Sequence, residues 1–179
     1  MYDIKKLVGL ENDLRRTIRA EFVKFFSACD YTKDSKAVIS RSVATLNDAE
    51  ALHYGTGFYV IMTDYQIEGN KCGLVVNGLK AIYRGHCYTV KGRLKSHLFN
   101  DHYRGSLTGK GVRYDVCMKL DDKNGINICA APYQDYQWRV VVHKMNGSSK
   151  MMREQAELAF DEVFGRPLGS RERQGEVDA

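Results

Sequence analysis

Apolar residues near the N-terminus recur at helical spacing. Ile4, Leu7, Leu14, Ile18, Phe22, Phe25 and Cys29 fall three, four or seven positions apart, and Arg15, Arg16, Arg19 and Lys24 fall mostly on the other side. Such a stripe predicts an amphipathic helix over 3–28 whose apolar face needs a cover, most simply a sheet. Positions 31–46 are mixed, with Val38, Ile39 and Val43 as scattered apolar anchors. They predict a loop plus a short helix. Asn47 or Asp48 caps a brief turn through Leu52 that Gly55 ends.

The period then changes. Positions 58–65 are apolar on both faces and predict a central strand. Two strand-like runs, 71–76 and 79–83, flank Asn77-Gly78, the strongest short hairpin signal. A further strand is predicted over 86–91. Val112, Tyr114, Val116, Met118 and Leu120 alternate with polar residues, which predicts a strand with one wet face. Positions 121–125 predict a turn, 126–131 a returning strand that Pro132 interrupts, and 136–142 the last strand. Met152, Ala156, Ala159 and Val163 mark a second helix over 148–164, stopped by Gly165 and Pro167. The predicted fold is α+β: an antiparallel sheet of about five to seven strands flanked by an N-terminal and a C-terminal helix. Residues 1–167 form a single domain and 168–179 a disordered tail.

Composition narrows this picture. With 44% apolar and 27% charged residues the chain supports an ordinary core. It has no apolar run of about 18 residues, the length a membrane-spanning helix needs. It begins without the compact apolar run of a signal peptide. A cytoplasmic protein that does not enter the membrane is expected. Its five cysteines, Cys29, Cys72, Cys87, Cys117 and Cys129, are an odd, dispersed set and are expected to be reduced.

Charge changes the picture more. The net charge is +5, but residues 71–113 carry nine basic residues and one acid, Asp101, leaving 18 basic and 21 acidic residues elsewhere. That asymmetry points to a partner for the basic segment. Aromatic and histidine residues interleave with its cations. Cations meet phosphates and release counterions, and exposed aromatics stack on bases. The expected function is a non-enzymatic binding module for a polyanion, above all nucleic acid. Arg84, Lys91, Arg93, Lys95, Arg104 and Lys110 are the phosphate contacts, and Tyr88, His97, His102 and Tyr103 the stacking candidates. If the extended conformation continues through Gly92, Lys91, Arg93 and Lys95 form one cationic row. The segment is expected on the sheet face opposite the helices, or on one edge.

Other chemistries fit less well. Gly105-Ser106-Leu107-Thr108-Gly109-Lys110-Gly111 is one residue short of a phosphate-binding loop, and Gly111 stands where a magnesium-binding hydroxyl belongs. Cys72, Cys87, His97 and His102 are the right residue types for zinc at the wrong spacings. No metal or cofactor is therefore expected. His97, Asp101 and His102 lie close in sequence, without an identifiable nucleophile. Two alternatives stand beside polyanion binding. One is a small interaction or inhibitor protein that docks on a partner protein. The other is an enzyme acting on a phosphate-containing substrate.

Overall fold

The computed structural model describes residues 2–100, 118–121 and 123–170. Its centre is a five-stranded antiparallel sheet. The strands are β1 (Val38–Ser42), β2 (Gly57–Thr63), β3 (Val75–Val76), β4 (Leu79–Cys87) and β7 (Trp138–Lys144), in the order β1-β7-β2-β4-β3. A separate two-stranded ladder joins β5 (Lys119–Leu120) to β6 (Lys123–Asn124). The sequence-derived fold class, α+β with an antiparallel sheet and a helix at each end, is the observed one.

β2 is the middle strand, and every residue in it is buried. That is why its sequence is apolar without alternation. The Asn77-Gly78 hairpin forms as predicted, with φ of 51° and 81°, and it places Val76 opposite Leu79.

The N-terminal helix α1 (Ile4–Ala28) packs against the C-terminal helix α4 (Lys150–Phe164), and both cover one face of the sheet. Phe26, Phe58, Met62, Val141, Ala156 and Phe160 are central to this core. The cover over α1 is partial. Phe26, not Phe25, turns inward, and Ile4, Leu7, Val8, Leu10 and Leu14 remain about half or more exposed.

Two short helices cover the other face: α2 (Leu46–Glu50) and α3 (Val90–Leu98). Thr45 caps α2 through a reciprocal pair with Asp48. α3 replaces the strand predicted over 86–91. Val90, Leu94 and Leu98 recur four apart and are completely buried against the sheet. That burial outweighs the strand propensity of Tyr88-Thr89-Val90. Of the basic segment, residues 90–98 lie on the face opposite α1 and α4, as a helix.

Two further expectations are corrected. β1 occupies part of the stretch predicted as loop plus helix. As an edge strand it buries only Val38 fully, so its sequence lacks alternation. Residues 126–131 form no ladder strand. Their backbone is instead satisfied by the end of α3, where Ile126 N donates to His97 O at 2.8 Å and Ile128 N to Leu98 O at 2.9 Å. Most of the strand predicted over 112–120 lies outside the described residues.

The tail boundary predicted at 167 falls inside a docked segment. Gly169 N donates to Ile82 O at 2.9 Å, and Arg84 N donates to Ser170 Oγ at the same distance. Among the described residues, no helix is long and apolar enough to cross a membrane.

Candidate functional site

Two triplets in neighbouring strands run in mirrored order, Gly57-Phe58-Tyr59 in β2 and Tyr83-Arg84-Gly85 in β4. Antiparallel pairing sets Tyr59 opposite Gly85, Ile61 opposite Tyr83 and Gly57 opposite Cys87. The register skips at Ile82, between the pairs Ile61–Tyr83 and Met62–Ala81. This bulge reverses the alternation along β4. Ala81 faces the α1/α4 core, whereas Ile82 and Tyr83 both face α3. An extra residue in one strand re-aims the side chains beyond it, and here it brings Tyr83 beside Tyr59.

The two hydroxyls converge over Gly85. A Cβ built on Gly85 would lie 3.0 Å from the Tyr59 hydroxyl and 3.0 Å from that of Tyr83. Gly85 is needed here for space. Gly85→Ala is expected to cost about 1–3 kcal/mol by overpacking, read as a lowered urea midpoint. A midpoint equal to wild type would show that the tyrosines can move apart freely.

α3 completes the cluster. Arg93 and His97 are four residues apart and share one side of the helix. His97 Nε2 lies 2.9 Å from the Tyr59 hydroxyl, and the His97 ring centroid lies 4.6 Å from that of Tyr83. Burial pushes His97 down to about 3, and the Arg93 charge acts in the same direction. The imidazole is therefore neutral at physiological pH. In the tautomer that carries its hydrogen on Nδ1, which has no partner of its own, Nε2 accepts from the Tyr59 hydroxyl. Burial raises Tyr59 well above the usual phenol range, the neighbouring Tyr83 adds to this, and Arg93 opposes it. Burial likewise pushes the Cys87 thiol up to about 11, against the pull of Arg93 and Arg153. Two phenols and a neutral imidazole thus meet inside an apolar core, with the half-buried Arg93 near enough to act on them electrostatically. Such an arrangement can relay a proton and stabilise negative charge.

The residues singled out from sequence are dispersed. Arg84 is buried, with 3% of its side chain exposed, and points into the opposite layer. There it pairs with Asp161 at 2.5 Å and Glu157 at 3.3 Å. Its alternation partner in β4, Tyr83, faces the cluster instead. As a phosphate contact Arg84 is corrected, because two carboxylates already engage its buried guanidinium.

The cationic row is corrected too. On a helix Lys91 and Lys95 lie one turn apart, and both approach Glu50, Lys91 at 3.8 Å and Lys95 in a closer pair. Arg93 sits on another side, half-buried at the cluster. His97 is fully buried and stacks on no solvent-facing ligand. Tyr88 is 65% exposed, as a stacking residue requires. Arg104, Lys110, His102 and Tyr103 lie outside the described residues, as does Asp101.

The considered zinc set does not assemble. Cys72 belongs to the α1/α4 core, and Cys87 and His97 to the other face. No group of three or more His, Cys, Asp or Glu positioned for a metal occurs among the described residues. Cys29, Cys72, Cys87 and Cys129 are free thiols. From sequence Tyr59 reads only as part of the buried central strand, and Tyr83 as one of the aromatics of the basic segment or as core. The mirrored triplets and the Arg93–His97 spacing were the available signals.

The fold and site define a single α+β domain with a tyrosine–histidine–arginine cluster between its sheet and a covering helix. Comparison with protein-family models, curated proteins and solved structures finds no match.

Proposed function

We propose that this domain binds nucleic acid and hydrolyses its phosphodiester bonds at the Tyr59/Tyr83/Arg93/His97 cluster. Of the functions considered from sequence, this one joins polyanion binding to an enzyme acting on a phosphate-containing substrate. The observation that carries it is the 2.9 Å contact between the Tyr59 hydroxyl and neutral His97 Nε2, with Arg93 one turn away on the same helix. A phenol–imidazole pair beside a guanidinium holds the group types that phosphodiester hydrolysis uses, an acid–base pair and a fixed positive charge.

In this reading Arg93 meets the non-bridging oxygens of the phosphate. Tyr59, Tyr83 and His97 are buried, so in this reading α3 shifts from the sheet to admit the phosphate; water then attacks phosphorus and gives its proton to the Tyr59 oxygen, while the Tyr59 proton passes to His97 Nε2. The bond from phosphorus to the leaving oxygen breaks, that oxygen takes up a proton from solvent, and His97 returns its proton to solvent, which restores the neutral imidazole. A phosphate at Arg93 offsets the smaller of the two effects that hold His97 low, while burial, the larger, persists until water enters the cluster. The excess of cations over 71–113 supplies the long-range attraction.

The test is cleavage of a labelled single-stranded oligonucleotide, and conversion of supercoiled plasmid to nicked and linear forms, by the whole chain, with magnesium, with manganese and with a chelator. Arg93→Ala and Tyr59→Phe are expected to lower the rate by about a hundredfold or more, in line with loss of a positioned charge or acid–base group. Near-ultraviolet circular dichroism confirms that each variant is folded. Absence of cleavage by wild type under all three conditions would overturn the catalytic reading. Rates unchanged in both variants would move the chemistry elsewhere.

A further inference from the structure

The end of the sheet where β2 begins and β4 ends carries two exposed tyrosines. Tyr54 is 75% exposed and Tyr88 65%. They occupy one end of the sheet. Tyr54 lies just before β2, Tyr88 follows the last residue of β4, and Val90 N donates to Gly55 O at 3.0 Å, tying the two segments together. Tyr88 is three residues beyond Gly85, roughly 10 Å along an extended chain.

Each ring is backed by a cation. The Arg153 guanidinium carbon lies 4.2 Å from the centroid of Tyr88, and Lys91 Nζ lies 5.9 Å from that of Tyr54. Arg153 is fully buried and fixed, since its Nη1 donates to Ser148 O at 2.5 Å and to Ser148 Oγ at 3.1 Å. A solvent-facing ring resting on a buried, anchored guanidinium is held in one orientation while most of its surface stays open. Exposed aromatic rings are costly in water and bind flat π-systems well, and a cation behind the ring adds attraction for phosphate.

We infer that Tyr54 and Tyr88 are stacking platforms for unpaired nucleobases, and that the natural substrate is therefore single-stranded or locally opened nucleic acid. This rests on the proposed nucleic-acid function and specifies its substrate. In a duplex both faces of each base are already stacked on neighbours, so only an unpaired base can lie on these rings.

The experiment measures fluorescence anisotropy of three labelled probes with the whole chain in chelator: oligothymidylate, an abasic oligomer with the same number of phosphates, and a duplex. Oligothymidylate is expected to bind about tenfold or more tighter than the abasic oligomer. Tyr54→Leu and Tyr88→Leu should each weaken oligothymidylate by about five- to tenfold and leave the abasic oligomer unchanged, while Tyr54→Phe and Tyr88→Phe keep wild-type affinity. Equal affinity for oligothymidylate and the abasic oligomer would overturn the platforms and leave nucleic-acid binding standing. Failure of wild type to bind any probe would overturn the nucleic-acid reading itself. A measurement on unaltered protein removes the question of folding. Ultraviolet crosslinking of an iodouracil-containing single strand should label Tyr54 or Tyr88, and labelling confined to other residues would count against the inference.

Discussion

Arg84→Ala is expected to destabilise the domain by about 3–5 kcal/mol, a large share of the roughly 5–15 kcal/mol that holds an ordinary domain folded. The guanidinium lies buried between β4 and α4, bonded to Asp161 through two nitrogens and paired with Glu157. Removing it leaves the 3%-exposed carboxylate of Glu157 facing an empty space, with Asp161 at its edge. The cost lies in that abandoned charge more than in the lost attraction. A triple variant, Arg84→Met with Glu157→Leu and Asp161→Leu, is therefore expected to sit closer to wild type than Arg84→Ala alone. Urea midpoints of the three proteins decide this. An Arg84→Ala variant within about 1 kcal/mol of wild type would mean that water reaches the pair and screens it.

The second large effect is acid destabilisation in an unusual window. His97 and His143 are both buried, and burial pushes each from the ordinary 6.5 down to about 3. Tyr59, Tyr83 and Arg93 surround the first, and Phe25, Phe26, Tyr31 and Phe58 the second. The folded pKa of each is depressed, so below about 6.5 the unfolded chain binds protons that the folded chain refuses. Stability is fully present above 6.5 and falls as pH drops toward 3. Each histidine contributes a slope of up to about 1.4 kcal/mol per pH unit.

Between pH 6.5 and 5 ordinary carboxylates hardly titrate, so the histidines dominate there. His143→Phe should roughly halve the slope. It should cost little at neutral pH, because neither ring nitrogen of His143 has a hydrogen-bond partner. A urea midpoint that stays flat from pH 7 to 5 would show that one or both rings reach water.

Much of the scaffold was legible in the chain. The spacing of Ile4, Leu7, Leu14 and Ile18 announces a helix, and the unbroken apolar run around Val60 announces a central strand. Asn77-Gly78 announces its hairpin. These are local signals, because periodicity and turn chemistry report conformation over a few neighbouring residues. The exposed tyrosine at 88 was also readable as a stacking candidate, since an aromatic among cations stands out in any conformation. The row drawn through Lys91, Arg93 and Lys95 was misread for the same reason. Short runs holding Val, Thr and Tyr suit strand or helix, and only the sheet face waiting to be covered selects the helix that buries Val90, Leu94 and Leu98.

The sequence by itself determined the α+β class, the terminal helices, the central strand and the uneven charge. The tertiary structure decided the site. Tyr59, Tyr83, Arg93 and His97 come from three elements, and their meeting depends on the register of β2 with β4 and on one unpaired residue at Ile82. Without that bulge Tyr83 would face the other core. The same strand sends its neighbour Arg84 to Asp161, on a helix 77 residues away. Register and bulges are set by which buried faces fit together over the whole molecule, and no local pattern of residues records them.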